Sequence, residues 1–115
     1  MTLSPKERAR ADEMKRTLRE MVAGIRARND LAEYPKAVMS DAMKEKGTAV
    51  INCGDDERKA AKLSEGILGS YEMKLFLDLY KAYGTKAERD LRRNLYNKLV
   101  PCVRITFEVR DRRAA

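Results

Sequence analysis

The sequence predicts an α+β fold, mostly helical, with about five helices and a small two-stranded sheet formed by residues near 48–53 and 102–109. Three observations carry this. Apolar residues recur at three- and four-residue spacing through most of the chain. The stretch from Cys102 to Val109 instead alternates apolar and polar residues. At 115 residues the chain has room for one core, so residues 1–115 are expected to form a single domain.

The first helix should begin at Ser4-Pro5-Lys6-Glu7, where Ser4 can cap, Pro5 suits the first turn and Glu7 completes a capping box. Ala11, Met14, Leu18, Met21, Val22 and Ile25 then form one stripe running to about Arg28. Tyr34-Pro35 opens a second expected helix, ending near Gly47, with Val38, Met39, Ala42 and Met43 inward. Residues 48–53 are β-prone and close in a turn at Gly54. Asp55 can cap a third helix carrying Ala60, Ala61 and Leu63. That helix should weaken at Gly66-Ile67-Leu68-Gly69, a kink that packs Ile67 and Leu68 into the core.

Ser70 can restart the chain as a helix to Tyr83, whose Tyr71, Met73, Leu75, Phe76, Leu79 and Tyr80 suggest a central buried element. Thr85 would cap a fifth helix to about Val100, with Ala87, Leu91, Leu95 and Leu99 along one side. Pro101 stops it. In the following strand Val103, Ile105, Phe107 and Val109 face the core and Arg104, Thr106, Glu108 and Arg110 face water. The two strands should pair antiparallel with Cys53 near Cys102 and Val50 opposite Ile105, the alternative being a strand that pairs across a homodimer. Residues 110–115 read as a flexible basic tail.

The order helix, strand, helix, helix, strand resembles a winged helix lacking the second strand of its wing, with a helix-turn-helix turn at Tyr83-Gly84-Thr85. Tyr80 stands where that motif takes a small residue, and Asp90 and Arg93 where it takes core side chains. Gly66-Ile67-Leu68-Gly69 is similar in spacing to the loop by which KH domains clamp RNA, but its middle residues are apolar where that loop is basic.

The chain contains no histidine, which removes the commonest general base near neutral pH and the imidazole ligands of most catalytic zinc sites. Two cysteines, Cys53 and Cys102, are too few for a disulfide-stapled scaffold and are expected as small buried hydrophobes. The acidic run Asp55-Asp56-Glu57 is accounted for by helix capping without a metal. No P-loop, dinucleotide fingerprint or nucleophile elbow is present. The expectation is a protein that is not an enzyme and has no cofactor. No segment approaches the roughly 18 uninterrupted apolar residues of a membrane span, and the N-terminus lacks a signal-peptide layout, so a cytoplasmic location is expected.

The net charge of +7 is concentrated at the ends. Residues 1–30 hold eight basic and five acidic side chains, residues 31–83 eight and nine, and residues 84–115 nine and four. The candidate site is accordingly C-terminal: Lys86, Arg89, Arg92 and Arg93 on the expected last helix, with Arg104, Arg110, Arg112 and Arg113 beyond it. Such a face would neutralise phosphates of DNA or RNA with little base readout. Exposed tyrosines among Tyr34, Tyr71, Tyr80, Tyr83 and Tyr96 could stack bases, although most are expected in the core. The alternative is a non-catalytic protein-interaction module, such as a phage-type inhibitor or accessory factor, that binds an acidic surface of a nucleic-acid-handling complex. A large exposed apolar patch beside acidic residues would favour that alternative, and a continuous basic face would favour nucleic acid.

Overall fold

The computed structural model describes residues 4–28, 37–39 and 46–108. They form an α+β fold of three helices and a three-stranded antiparallel sheet, with a three-residue strand added at one edge. In chain order the elements are α1 (Pro5–Arg28), β1 (Ala37–Met39), β2 (Lys46–Ile51), α2 (Glu57–Leu68), α3 (Tyr71–Leu79), a 3-10 turn (Lys81–Tyr83), β3 (Lys86–Arg93) and β4 (Leu99–Glu108). The strand order is β1-β2-β4-β3.

α1 forms as its sequence dictates. The Glu7 amide donates to Ser4 Oγ and the Ser4 amide donates to Glu7 Oε1, the reciprocal bonds of a capping box. All six residues of the predicted stripe are buried, and Met14 and Leu18 are completely enclosed. The stripe joins one core with the inner face of the sheet, where Ala49, Ile51, Val103, Ile105 and Phe107 are fully buried. Ala60 and Ile67 of α2 and Met73, Phe76 and Tyr80 around α3 complete the same core. Phe76 and Tyr80 meet edge to face at 5.1 Å, and the Tyr80 hydroxyl donates to Thr17 Oγ1 at 2.9 Å, joining α3 to α1.

β2 and β4 pair antiparallel within one chain, as predicted. The register is one residue from expectation: Val50 faces Arg104 and Ala49 faces Ile105. That shift puts Ala49 and Ile51 on the core side and leaves Val50 half-exposed on the other, the outcome that buries the larger apolar set. The predicted alternation of Val103, Ile105 and Phe107 with Arg104, Thr106 and Glu108 is present, while Val109 and Arg110 lie outside the described residues.

Four expectations are corrected. The second helix is not formed where it can be seen: Ala37–Met39 is a strand paired with β2, and Gly47 lies within β2 opposite Phe107. Tyr34, Pro35 and residues 40–45 lie outside the described residues. Short apolar runs such as Val38-Met39 fit a helix or a strand equally, and the open edge of β2 decides. The cap of α2 is Asp56, which accepts from the Lys59 amide at 2.9 Å; Asp55 is used elsewhere. α3 ends at Leu79 and is not a central helix, since Tyr71, Leu75 and Leu79 are exposed.

The largest correction is the fifth helix. Residues 85–100 are β3, a tight turn and the start of β4, so Tyr83-Gly84-Thr85 leads into a strand and does not join two helices. The turn explains why. The Asn94 amide donates to the Lys98 carbonyl, Asn94 Oδ1 accepts from the amides of Tyr96 and Lys98, and Asn97 takes a left-handed φ of 60°. A three-residue loop closed by a left-handed residue is a favoured hairpin connection, and asparagine tolerates that conformation better than most side chains. Apart from the short β1, the order is α1, β2, α2, α3, β3 and β4, with strands arranged β2-β4-β3 and β3 and β4 joined as a hairpin. The turn between α2 and α3 is Gly69-Ser70, where Ser70 caps α3 by accepting from the Met73 amide. Ile67 is buried and Leu68 packs against the core, as expected of that kink.

Candidate nucleic-acid interface

The hairpin sorts its charges by strand parity. Side chains of β3 at even positions share a face with Thr48, Val50, Val100, Cys102 and Arg104, the outer face of the sheet, on which Val100 and Cys102 are nonetheless buried. Both acids of the strand, Glu88 and Asp90, are there. Odd positions, Ala87, Arg89, Leu91 and Arg93, lie on the helix side. No acid shares that side of β3 with the two arginines.

This sorting separates the predicted site residues into three groups. Arg92 and Arg104 are held within the fold. Arg92 Nη2 lies 2.7 Å from Asp55 Oδ1 and also donates to the Gly54 carbonyl, pinning the hairpin to the loop before α2. Asn94 Nδ2 adds a bond to the Asp55 carbonyl. Arg104 Nε lies 2.6 Å from Asp90 Oδ2 on the outer face, with Glu88 directly opposite in register. Lys86, on the outer face, and Arg89 and Arg93, on the helix side, form the second group and are exposed. Arg93 spends one donor on the Asn97 carbonyl at the hairpin turn, leaving the rest of its guanidinium to solvent. Arg110, Arg112 and Arg113 form the third and lie outside the described residues.

The predicted single basic helix face is therefore replaced by two faces of a strand. Arg89 and Arg93, four strand residues apart, project from the same side at about 13 Å separation. Lys98 follows the turn and is exposed. The turn itself carries Leu95 and Tyr96, which are 86% and 76% exposed, and Leu91 and Leu99 flank it half-exposed. Ala87, Leu91, Leu95 and Leu99, the expected apolar side of a helix, are instead divided between strand and turn: Ala87 packs against the core and the three leucines are at the surface. The usable signal in the sequence was the pair Asn94 and Asn97, three residues apart, which marks the turn.

Elsewhere the tyrosines divide. Tyr80 is buried, Tyr83 lies under the Arg10 guanidinium at 4.4 Å, and Tyr71 and Tyr96 are exposed. Tyr34 lies outside the described residues. Among the described residues no group of three or more His, Cys, Asp or Glu is placed to hold a metal ion, and no helix is long and apolar enough to cross a membrane.

Both cysteines are free and buried. Burial pushes the Cys53 thiol up to about 12, with the nearby Cys102 adding to the shift, and burial likewise raises Cys102. A thiol raised above its unfolded value stabilises the fold fully below about pH 9. That contribution is lost as pH rises towards 12, because the unfolded chain ionises first. Denaturant midpoints should therefore fall between pH 9 and 12, with burial of Tyr80 acting in the same direction. A flat profile across that window would contradict the assignment.

Comparison with known proteins finds no match: no family model matches the sequence, and neither a curated protein nor a solved structure does.

Proposed function

We propose that this protein binds nucleic acid through the β3–β4 hairpin. The observation that carries the reading is the sorting of charge on β3, which commits Arg92 and Arg104 to carboxylates and leaves Arg89 and Arg93 together on the side of that strand that carries no acid of its own. Guanidinium groups in that setting suit bidentate contact with phosphates. Lys98 and Lys86 add positive charge along the hairpin, and the exposed Tyr96 at its tip offers a ring for stacking on a base. The recognition is of backbone and shape, with few groups able to read base edges.

The element order, which resembles that of a winged helix with the β3–β4 hairpin as its wing, agrees with this reading, and the work falls on that hairpin. The exposed part of α3 carries Lys74 against Glu72 and Asp78, a balance that does not favour phosphate. Fluorescence anisotropy with labelled single- and double-stranded DNA and RNA across a salt series tests the proposal. Affinity should fall linearly on a logarithmic scale as salt rises, since binding releases counterions. Absence of binding at low salt would reject it.

Arg92 supplies the control. Its pair with Asp55 is partly screened by solvent, so Arg92→Ala should cost about 1 kcal/mol of stability, read from denaturant unfolding. Nucleic-acid affinity should change little in comparison with the Arg89 and Arg93 variants. A loss in Arg92→Ala equal to theirs would move the contact to the outer face.

The exposed apolar residues of α3 favour a second reading, protein interaction, on a separate element.

A further inference from the structure

We infer that the tip of the β3–β4 hairpin is a wedge: Leu95 enters an opened base step of duplex DNA, and the Tyr96 ring stacks on the base beside it. This rests on the hairpin reading and adds a substrate class to it, a duplex that can be unstacked and bent at one step. The turn ties up its own polar groups. The Asn94 amide donates to the Lys98 carbonyl at 2.8 Å, and Asn94 Oδ1 accepts from the amides of Tyr96 and Lys98, each at 2.9 Å. The Asn97 amide donates to the Asn94 carbonyl, the Asn97 carbonyl accepts from Arg93, and Asn94 Nδ2 anchors the whole turn to the Asp55 carbonyl. Two adjacent side chains are left outside. Leu95 and Tyr96, at 86% and 76%, are the most exposed large hydrophobic residues among the described ones. Since the turn is already closed, presenting them to a ligand costs little further ordering.

The charge around the tip suits a polyanion. From Arg92 to Lys98 the chain holds three cations and no acid, and Arg93 and Lys98 stand on either side of Leu95-Tyr96. The neighbouring acids are engaged or balanced. Asp55 pairs with Arg92 and Asp90 with Arg104. Asp56, the cap of α2, and Glu57 are followed at once by Arg58 and Lys59, so the start of that helix adds no net acid. Glu88 is on the outer face, opposite Arg104.

The side chains at the tip set the form of nucleic acid. A single strand is held by successive aromatic platforms, and this tip offers one ring. Leucine has no π face, but aliphatic side chains fill the gap left when a base step is unstacked, while cations on either side hold the phosphates. The step that opens is the one least costly to unstack, a mismatch or a flexible pyrimidine–purine step. B-form DNA admits a two-stranded ribbon in its major groove, whereas A-form RNA closes that groove to side chains. An anionic membrane is a poorer match, because insertion strengthens with buried apolar area and the tip supplies two side chains.

The test uses the full chain and DNA duplexes of about 16 base pairs, fully paired or with one central mismatch, carrying a donor and an acceptor dye at their ends. The mismatched duplex should bind at least about fivefold more tightly, and binding should raise energy transfer as the ends approach. Leu95→Ala with Tyr96→Ala should leave far-UV circular dichroism unchanged and keep binding to the paired duplex within about tenfold, while losing both the preference and the rise. Arg89→Glu with Arg93→Glu should weaken both duplexes alike. A parent that binds DNA with neither mismatch preference nor bending, or a tip variant that keeps both, would overturn the wedge and leave the phosphate contacts of the hairpin standing. Tighter binding to single strands or to duplex RNA would also overturn it. So would tip-dependent binding to anionic phospholipid vesicles, or a dimer in sedimentation that the tip variant abolishes. Absence of binding to any nucleic acid would reject the hairpin reading itself, and the wedge with it.

Discussion

Reversing both helix-side arginines of the hairpin, Arg89→Glu with Arg93→Glu, is expected to weaken nucleic-acid binding by at least about 100-fold. Each guanidinium contact with a phosphate is a charge-assisted bond worth roughly 1.5–3 kcal/mol, and two losses with added repulsion exceed the 2.7 kcal/mol that a 100-fold change represents. The salt dependence should fall with the affinity, the slope of log K against log salt dropping by about two. Folding should survive, because both side chains are exposed and only the bond from Arg93 to the Asn97 carbonyl is lost. A variant that stays folded and binds as tightly as the parent would remove these residues from the interface.

The second large effect concerns the scaffold. Phe107 is completely enclosed, the largest fully buried side chain, and belongs to the core cluster opposite Gly47 in register. Phe107→Ala removes its apolar area and leaves a cavity that the surrounding side chains fill incompletely, costing about 3–5 kcal/mol. Domains of this size have only about 5–15 kcal/mol in total, so much of the stability goes. The thermal midpoint should fall by on the order of 15 °C or more, or the cooperative transition should vanish. Leu95→Ala makes the contrast: at a loop tip it should change stability by less than about 0.5 kcal/mol. A large loss in Leu95→Ala would restore a buried helix over 85–100 and refute the hairpin.

That contrast shows where the sequence was ambiguous. Ala87, Leu91, Leu95 and Leu99 recur every four residues, and four is an even number. Such a spacing lies on one face of a strand as well as on one stripe of a helix. The alternation that would have marked β3 is hidden because arginines occupy both of its faces. Where the two periods differ, the reading held. The mixed three-and-four spacing of Met14, Leu18, Met21, Val22 and Ile25 fits only a helix, and all are buried on α1. The strict alternation of Val103, Ile105 and Phe107 fits only a strand.

The candidate site was legible in composition but not in arrangement. The C-terminal excess of arginine was visible, whereas the division of labour among the arginines depends on strand parity. Once residues 86–93 are a strand, Glu88 and Asp90 share a face with Arg92 and not with Arg89 or Arg93. Asp55 illustrates the same limit. Beside Asp56 it looked like a cap, and only the fold brings it to Arg92, 37 residues away in sequence.

The most direct test of the hairpin proposal is a ¹⁵N NMR titration of the full chain with a short labelled-free duplex and a short single strand at low salt. The amides of Arg89, Leu91 and Arg93 through Lys98 should shift together, with one common affinity, and those of α3 should stay in place. Shifts confined to α1 or α3, or none at saturating nucleic acid, would contradict the hairpin as the binding element.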